Sequence, residues 1–250
     1  MAESRDARAQ RTRRLLRSLD LAYPDARIAL RFGNAFELLV ATILSAQCTD
    51  EMVNRVTPEL FRRFATPRAL ADADPAEVEA LVRPTGFYRQ KTRSIQSAAR
   101  DVAERFGGAV PRTMEELLTL RGVARKTANV VLGNAFDVPG IAVDTHVSRV
   151  SQRLELTRSE DPVAIEADLS ALVPRERWTH TTHQLIHHGR VCCQARRPRC
   201  EECPLAEDCP WPGRAQRAAA PKAAARGAQG PARAPTRSRR TARGHRGRAR

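Results

Sequence analysis

A glycine turn, a lysine and an aspartate form a group of residues in this sequence that could carry out chemistry together. The segment reads Leu120–Arg121–Gly122–Val123–Ala124–Arg125–Lys126, and Asp144 follows eighteen residues after Lys126. A lysine that loses its proton is a nucleophile, which an arginine in a protein cannot become. A carboxylate one element further on could accept a proton or stabilise a developing positive charge. The alternative is that Lys126 is an exposed cation and Asp144 a plain helix cap.

Lysine is scarce in a chain that otherwise uses arginine for its positive charge. Among 43 lysine and arginine residues, the lysines are Lys91, Lys126 and Lys222. A free lysine is neutral in about one molecule in a thousand or fewer at pH 7, so a nucleophilic lysine needs help to lose its proton. A helix N-terminus, the neighbouring Arg125 and partial burial would each give that help. We therefore expect Lys126 to be partly buried at the start of a helix.

Helix signals dominate the sequence, and the two helices around Gly122 form a predicted hairpin. Thr113 begins a short helix that ends at Gly122, and the next helix is predicted over 124–136. The amides of a tight glycine turn and of a helix N-terminus point the same way, which makes an anion site. Leu120 and Val123 are expected to pack beneath the turn. The predicted fold class is all-α.

The positive charge is concentrated at the C-terminal end of the chain. Residues 213–250 contain no acidic residue and hold +12 of the formal net charge of +15. This segment consists mainly of Ala, Arg, Pro and Gly and is predicted to be a disordered basic tail. Such a charge balance favours nucleic acid as the partner. No apolar run reaches the ~18 residues of a membrane span, and the N-terminus has no apolar signal core, so a cytoplasmic protein without membrane contact is expected.

Four of the six cysteines lie close together near the end of the predicted globular part. Cys193, Cys200, Cys203 and Cys209 are separated by six, two and five residues. In a reducing compartment, clustered thiols indicate a metal site rather than disulfides. Zinc modules usually contain two C-x2–4-C pairs, whereas only Cys200 and Cys203 form one here. Four thiolates on a short loop also suit an iron–sulfur cluster, so both metals are open on spacing alone.

Taken together, these motifs resemble the endonuclease III family of DNA base-excision glycosylases. The hairpin is similar to that family's L-P-G-V-G turn, with Arg121 and Ala124 in place of its proline and second glycine. Val143–Asp144–Thr145–His146 matches its V-D-T-H segment, and the cysteine spacing matches its 4Fe–4S loop. Residues 44–50 resemble an L-L-S-A-Q-x-T-D segment, and Gly86–Phe87–Tyr88 resembles a G-L-Y loop. The resemblance covers about residues 21–211.

The resemblance implies a role for each matching residue. Lys126 would be the nucleophile and Asp144 the assisting carboxylate. A 4Fe–4S cluster would be held by Cys193, Cys200, Cys203 and Cys209. The implied DNA contacts are Gln47 in the gap left by the flipped base, Phe87 as a wedge, Arg121, Gly122, Val123 and Ala124 on a phosphate, His146 beside phosphate or Asp144, and Arg196, Arg197 and Arg199 on the backbone. The alternatives are a helix cap for Gln47, a core position for Phe87 and solvated charges for the arginines.

The resemblance also implies an architecture. A six-helix domain with the helix–hairpin–helix is predicted over 28–137. An iron–sulfur domain would combine 1–27 with 138–212, and Lys126 and Asp144 would lie on facing walls of the cleft between the two. If position 124 requires a positive φ, Ala124 would cost about 1–2 kcal/mol there.

The implied function is a bifunctional DNA glycosylase and AP lyase acting as a monomer on duplex DNA that contains damaged bases or abasic sites. It would excise oxidised pyrimidines through a lysine Schiff base and then nick the strand by β-elimination. In a bacterium it would be associated with the nucleoid. The alternatives are a monofunctional adenine or mismatch glycosylase, and a non-catalytic DNA-binding protein with a metal cluster.

Overall fold

The structure is a computed structural model that describes residues 3–211. Within this range the chain forms α-helices and short 3₁₀ turns but no β-strand, so the predicted all-α class is confirmed. The predicted basic tail over 213–250 lies outside the described residues. The helices are α1 (Arg5–Ala22), α2 (Ala35–Leu44), α3 (Asp50–Arg63), α4 (Pro67–Asp72), α5 (Pro75–Val82), α6 (Tyr88–Arg105), α7 (Met114–Leu118), α8 (Arg125–Ala135), α9 (Thr145–Arg153), α10 (Pro162–Leu172) and α11 (Trp178–Val191).

The first hydrophobic core is built by α2 to α8. Its central element is α2, which is buried from Phe36 to Leu44 except for Glu37. Asn34 begins this helix, since its side chain accepts the Glu37 amide at 3.0 Å, and the Glu37 carboxylate accepts the Gly33 amide at 2.6 Å. α2 packs against α3, α6 and α8, so the helix that carries Lys126 rests on the best-buried element of this core.

The predicted six helices over 28–137 are seven in the structure. One of the seven is the short α4, which begins after Thr66 with a proline in its first turn. The Thr66 hydroxyl accepts the Ala69 amide at 3.1 Å and so caps this helix. Six residues are too few for a clear apolar period, and only the capping residues signal this helix in the sequence.

A second hydrophobic core joins the N-terminal helix to the C-terminal part of the chain. Leu15, Leu16 and Leu19 of α1 pack with apolar residues of α9, α10 and α11. Cys193, Cys203 and Cys209 border this core. The two cores follow the predicted division in sequence, and the two-domain organisation itself stays a prediction.

Two ion pairs connect the two sets of helices, which are α2 to α8 around the first core and α1 with α9 to α11 around the second. Arg125 on α8 donates to both carboxylate oxygens of Glu166 on α10, at 2.7 and 2.9 Å. Arg190 on α11 donates to Asp50 at the start of α3, at 2.8 Å. Asp50 and Arg190 border the cleft that also contains Lys126 and Asp144. None of the helices between residues 3 and 211 is long and apolar enough to span a bilayer.

Candidate functional site

The helix–hairpin–helix turn between α7 and α8 is anchored from below as predicted from the sequence. Leu120 and Val123 are buried, whereas Arg121 and Ala124 are exposed on the outer side. Gly122 has φ +84°, and a Cβ placed there would lie 2.9 Å from the Cβ of Ser94 on α6. Both the backbone conformation and the close packing therefore require glycine at this position.

The outer side of the turn is suited to an anion. Ala124 precedes α8, and among residues 3–211 no side chain caps the helix there, so the first amides of α8 can accept a ligand. The helix dipole favours negative charge at the same place. Ala124 has φ −96°, an ordinary extended conformation. The strain considered for Ala124 is therefore absent, because only Gly122 takes the left-handed conformation in this turn.

Replacing Gly122 by alanine is expected to disturb the hairpin more than a comparable change elsewhere. At this positive φ an alanine would destabilise the folded state by about 1–2 kcal/mol, and its methyl group would also push against Ser94. Gly107→Ala is the matched control, because Gly107 also has a positive φ (+61°) but nothing lies within 4 Å of a Cβ there. Thermal denaturation and duplex-DNA titration should show a larger loss of stability for Gly122→Ala, and weaker binding for that variant alone. Equal effects of the two substitutions would contradict this explanation.

Lys126 and Asp144 border the same cleft, which lies between the helices of the first core and those of the second. Lys126 lies in the first turn of α8, and Asp144 is the residue before α9. The Asp144 Oδ1 atom accepts the amides of His146 and Val147, both at 2.8 Å. These bonds fix the carboxylate, and within residues 3–211 the Oδ2 atom has no hydrogen-bond partner. The capping role and a catalytic role therefore use different oxygens.

The surroundings of Lys126 differ from the expectation in two respects. Its side chain is exposed to the cleft rather than partly buried. The neighbouring Arg125 is neutralised by its bidentate bond to Glu166, so its charge acts less strongly on Lys126. The geometry of the cleft depends on how the two sets of helices meet, which no local pattern in the sequence encodes.

His146 lies half-buried beside Asp144. Its backbone amide holds the Asp144 carboxylate, while its ring Nδ1 lies 3.1 Å from Arg149 Nη2. Burial is the main reason why the pKa of His146 is lowered, and the Asp144 charge opposes this shift. His146 therefore supports Asp144 through its backbone amide. Contact of the His146 ring with phosphate stays a prediction.

Polar side chains that the sequence analysis did not identify line the inner wall of the cleft. Asn129 and Asn134 project from α8, and His183 projects from α11. The Asn129 amide donates to the Ile141 carbonyl at 3.0 Å, and Asn134 Oδ1 lies 2.8 Å from His183 Nε2. A Cβ at Gly140 would lie 2.6 Å from Asn129 Oδ1, so the chain approaches this wall very closely. The asparagines within the apolar α8 were the available signal for a polar wall.

His183 gives the protein a predicted sensitivity to acid. Burial, together with repulsion from His180, lowers the pKa of His183 to about 4. In the unfolded chain a histidine has a pKa of about 6.5. Between these values the unfolded state binds a proton that the folded state does not bind. The free energy of unfolding therefore falls as the pH drops from about 6.5 to about 4.

Urea unfolding of the parent protein and a His183→Gln variant at pH 7 and pH 4 measures this contribution. Glutamine cannot titrate. Between pH 7 and pH 4 the free energy of unfolding of the variant should therefore fall by about 2–3 kcal/mol less than that of the parent protein. Carboxylates titrate in both proteins, and their contribution cancels in the comparison. The same loss in both proteins would show that His183 does not hold a lowered pKa.

Gln47 and Phe87 share an unusual backbone conformation. Gln47 has φ +52° and Phe87 has φ +45°, both in the left-handed region, which costs a non-glycine residue about 1–2 kcal/mol. Gln47 is exposed, and the Phe87 side chain is 65% exposed despite its apolar ring. The alternative of a core position for Phe87 is therefore excluded. Strained, exposed residues of this kind are typical of binding sites, and their contact with DNA stays a prediction.

The four cysteines identified from the sequence line one small cavity at the edge of the second core. Cys192 and His188 border the same cavity. Arg153 on α9 donates to Cys193 Sγ at 3.3 Å and to the carbonyls of Gln194 and Ala195, both at 2.9 Å. A cation that donates to a sulfur stabilises a thiolate, which is the form that binds iron. The donor set of four thiols in one cavity fits a 4Fe–4S cluster.

The protonation of these cysteines separates Cys192 from the others. Burial alone would raise the pKa of Cys193, but hydrogen bonds from His188 and Arg153 keep it below its ordinary value. A hydrogen bond from Cys192 is the main cause that lowers the pKa of Cys203 to about 4. The same bond raises the pKa of Cys192. Cys192 Sγ also donates to the Arg199 carbonyl at 3.5 Å. Because the ligand atoms of Cys192, Cys203 and His188 lie within 4.8 Å of one another, the choice of Cys193 rather than Cys192 as a cluster ligand stays a prediction.

His188 links the cysteine loop to the N-terminal helix. Its Nδ1 atom lies 2.9 Å from the hydroxyl of Tyr23, and its Nε2 atom lies 3.8 Å from Cys203 Sγ. Burial would lower the pKa of His188, but hydrogen bonds to Cys193 and Cys203 raise it overall. The buried ring is therefore a structural contact of the loop.

The three arginines between the first two cysteines of the loop are exposed but not equivalent. Arg199 donates from Nε and Nη2 to the Val191 carbonyl at 3.1 and 2.7 Å, and it lies 3.6 Å from Glu202. Its guanidinium group thus holds the end of α11. Arg196 and Arg197 are exposed on the same loop. Phosphate contact of all three stays a prediction, and Arg199 would have to exchange its present bonds for it.

Two sequence profiles match the chain. One describes the HhH-GPD superfamily of base excision DNA repair proteins and matches residues 40–175. The other describes the iron–sulfur binding domain of endonuclease III and matches residues 193–209. The second match begins at Cys193 and ends at Cys209, so it contains the four predicted ligands and leaves out Cys192.

Relatives with similar sequences carry the same name. Endonuclease III of Synechocystis sp. is 53% identical over 205 residues, which cover 82% of this chain and 94% of the relative. Endonuclease III of Bacillus subtilis is 48% identical over 188 residues, which cover 75% of this chain and 86% of the relative. The similarity therefore extends over nearly the full length of both relatives.

Solved structures show the same arrangement of helices. A non-covalent endonuclease III–DNA complex and a trapped endonuclease III–DNA covalent intermediate each give a TM-score of 0.79 at 43% identity. Each alignment covers 84% of this chain and 98% of the other. A thermostable thymine-DNA glycosylase, at 21% identity and a TM-score of 0.73, shares the fold.

Proposed function

Because this chain belongs to the endonuclease III family of base-excision DNA repair proteins, we propose that Lys126 excises oxidised pyrimidines from duplex DNA and that Asp144 assists it. The chain is a DNA glycosylase and abasic-site lyase that binds a 4Fe–4S cluster. The observation that carries the assignment of residues is the position of Lys126 and Asp144 on one cleft, with the Asp144 Oδ2 atom unbonded among the described residues.

The first chemical step replaces the bond between sugar and base. The Lys126 Nζ lone pair attacks the deoxyribose C1′ atom while the bond from C1′ to the base nitrogen breaks. The electron pair of that bond leaves with the base, which takes up a proton. Asp144 stabilises the positive charge that develops on the sugar and accepts a proton from the Lys126 nitrogen.

The second step breaks the DNA strand. Opening of the sugar ring converts the lysine adduct into a protonated Schiff base, which acts as an electron sink. Loss of a proton from C2′ then expels the 3′ phosphate by β-elimination. A double bond forms between C2′ and C3′, and the strand is cut on the 3′ side of the lesion. Water then hydrolyses the Schiff base, which frees Lys126 and leaves an unsaturated aldehyde at the end of the 5′ strand.

The remaining surface features support the opening of the duplex. An enzyme that acts on a base must turn it out of the stack, which leaves a gap that has to be filled. Gln47 would occupy the gap, and Phe87 would enter the stack beside it. The open amides at Ala124, together with Arg121, would bind a backbone phosphate, while Arg196 and Arg197 would contact the strand further away.

The polar inner wall of the cleft suits a pyrimidine with carbonyl and N–H edges. Asn129, Asn134 and a neutral His183 make this wall polar but uncharged, although the Asn129 amide donates to Ile141 and both ends of the Asn134 amide group are bonded within the protein. Loss of aromaticity makes an oxidised pyrimidine stack poorly, so it costs less to turn out of the helix. The weaker stacking favours an oxidised base over an intact one.

Four cysteines would hold the cluster: Cys193, Cys200, Cys203 and Cys209. When bound, the cluster supplies a rigid crosslink between the ends of the loop that carries Arg196 and Arg197. Arg153 orients the first part of this loop through three hydrogen bonds. The protein would act as a monomer on chromosomal DNA, in the cytoplasm and nucleoid of a bacterium.

Borohydride reduction of the parent protein with two DNA duplexes tests the proposal. One duplex carries a single thymine glycol and the other a single abasic site. We expect a covalent adduct with both, since reduction fixes the Schiff base to Lys126. Base release without an adduct would favour a monofunctional glycosylase. DNA binding with neither product would favour a non-catalytic DNA-binding protein.

A further inference from the structure

Lys91 is a buried lysine that the proposed chemistry does not use. It lies on α6, and its side chain is 5% exposed. The Nζ atom donates to the carbonyl oxygen of Thr85 at 2.7 Å. In a chain that uses arginine almost everywhere, a lysine retained inside the protein indicates a requirement for its shape. A single compact donor on a flexible stem meets this requirement, whereas the planar guanidinium group of arginine would not.

The bonded carbonyl belongs to the turn that presents Phe87. Gly86 (φ +71°) and Phe87 (φ +45°) take left-handed conformations one after the other. No side chain caps α6 at Phe87. Thr85 is buried and donates its hydroxyl to the Val82 carbonyl at 2.8 Å. A turn with two such residues in succession persists only when its surroundings fix it.

Lys91 holds this turn at both ends. Its backbone amide donates to the Phe87 carbonyl at 3.0 Å, and its ammonium group donates to the Thr85 carbonyl. The first bond is an ordinary turn of α6 and would exist with any residue. The second bond depends on the Lys91 side chain. It fixes Thr85, the residue that directly precedes the two left-handed residues Gly86 and Phe87.

Lys91 also faces the segment that carries Gln47. Burial lowers the pKa of Lys91, and the charge of the nearby Cys48, the residue after Gln47, opposes this shift. Lys91 is thus bonded to the turn that carries Phe87 and lies near the residue that follows Gln47. A charged group in such a place costs free energy unless its bonds are needed.

We propose that Lys91 is a positioning residue that holds the Phe87 turn in the conformation required to enter the base stack. This inference rests on the proposed wedge role of Phe87. Lys91 does not touch DNA, and its effect on base excision passes through the ring of Phe87. Removing the ammonium group leaves the Thr85 carbonyl without its donor, and the turn then relaxes to less strained conformations that turn the ring away from the stack.

A double-mutant cycle tests this inference on the full-length protein with its cluster. Single-turnover excision from a thymine glycol duplex is measured for Lys91→Met, Phe87→Ala and the double variant. We expect Lys91→Met to slow excision about tenfold, as for loss of a charged buried hydrogen bond. The double variant should be no slower than Phe87→Ala alone, because the side chain that Lys91 positions is then absent.

Gln96→Met provides the matched control. Gln96 is another buried donor on α6, and its Nε2 atom bonds the Leu70 and Ala73 carbonyls at 3.3 and 2.8 Å, away from the Phe87 turn. Any loss of excision rate caused by Gln96→Met should be independent of Phe87, so the two losses should multiply in the Gln96→Met, Phe87→Ala double variant. If Lys91→Met does not fold, Lys91→Gln keeps a shorter donor and enters the same cycle.

The outcomes separate the inference from the function on which it rests. If Phe87→Ala excises as fast as the parent protein, then the wedge role is wrong and the inference falls with it. If Phe87→Ala is slow and Lys91→Met slows it further by its full factor, the wedge role stands and Lys91 does not act through it. If Lys91→Met alone excises as fast as the parent protein, the inference is wrong. It is supported only when Lys91→Met is slow by itself and adds no further loss to Phe87→Ala.

Discussion

A Lys126→Gln variant is expected to give no covalent adduct with an abasic duplex under borohydride, whereas the parent protein gives one. Glutamine has nearly the same length, but its amide nitrogen is not a nucleophile and cannot form a Schiff base. Strand cleavage and base release should fall on the order of 10⁴-fold, because the nucleophile takes part in both steps.

The fold should tolerate this substitution. Lys126 is exposed at the cleft, and no hydrogen bond or ion pair of its side chain occurs within residues 3–211. Thermal unfolding of the variant is therefore expected to match that of the parent protein, and binding of the abasic duplex should fall only by the loss of one charge. Lys126→Arg is the charge-matched control, since it keeps the cation without a usable lone pair.

Trapping gels with both duplexes make the distinction. An adduct that persists in Lys126→Gln and Lys126→Arg would assign the Schiff base to another amine, and Lys91 or the N-terminus would then need to be examined. An adduct that returns in Lys126→Arg alone would show that charge at this position, and not the amine, is what the reaction needs.

An Asp144→Asn variant is expected to lose activity about 10²- to 10³-fold while keeping its stability. The Oδ1 atom of Asp144 accepts two backbone amides at the start of α9. Asparagine supplies an oxygen of the same geometry and is as good a helix cap as aspartate. It cannot accept the Lys126 proton or balance the charge of the sugar, so the loss falls on the chemistry.

Asp144→Ala removes both roles and so separates them. The missing cap should lower the free energy of unfolding by about 1 kcal/mol, a loss that Asp144→Asn should not share. Single-turnover rates and urea unfolding are measured on the three proteins together. Equal destabilisation by both substitutions would contradict the capping argument, and full activity of Asp144→Asn would contradict the catalytic one.

The sequence alone predicted the elements that depend on local rules. The hairpin around Gly122 was predicted because a left-handed turn needs glycine and because Leu120 and Val123 are spaced to bury beneath it. The cysteine loop was predicted because a metal needs several thiols within a short span. These features depend on neighbours in the chain, and the structure places them as expected.

Features that depend on contacts between distant segments were missed. Asn134 on α8 and His183 on α11 meet in the cleft although they are 49 residues apart in the chain, and neither carries a local motif. The exposure of Lys126 depends on how the two sets of helices close, and Arg125 finds its partner Glu166 only in the folded protein. The conformation of Ala124 was left conditional, since a missing glycine does not say which residue of the turn has the positive φ.

The two oxygens of Asp144 have a consequence for how this protein can fail. Most inactivating changes in a small domain also lower its stability, and cells remove such chains by proteolysis. An asparagine at this position would escape that surveillance, since its helix start is intact. The altered protein would accumulate, settle on lesions and shield them from other repair enzymes, so that one such copy could be more harmful than the loss of the whole gene.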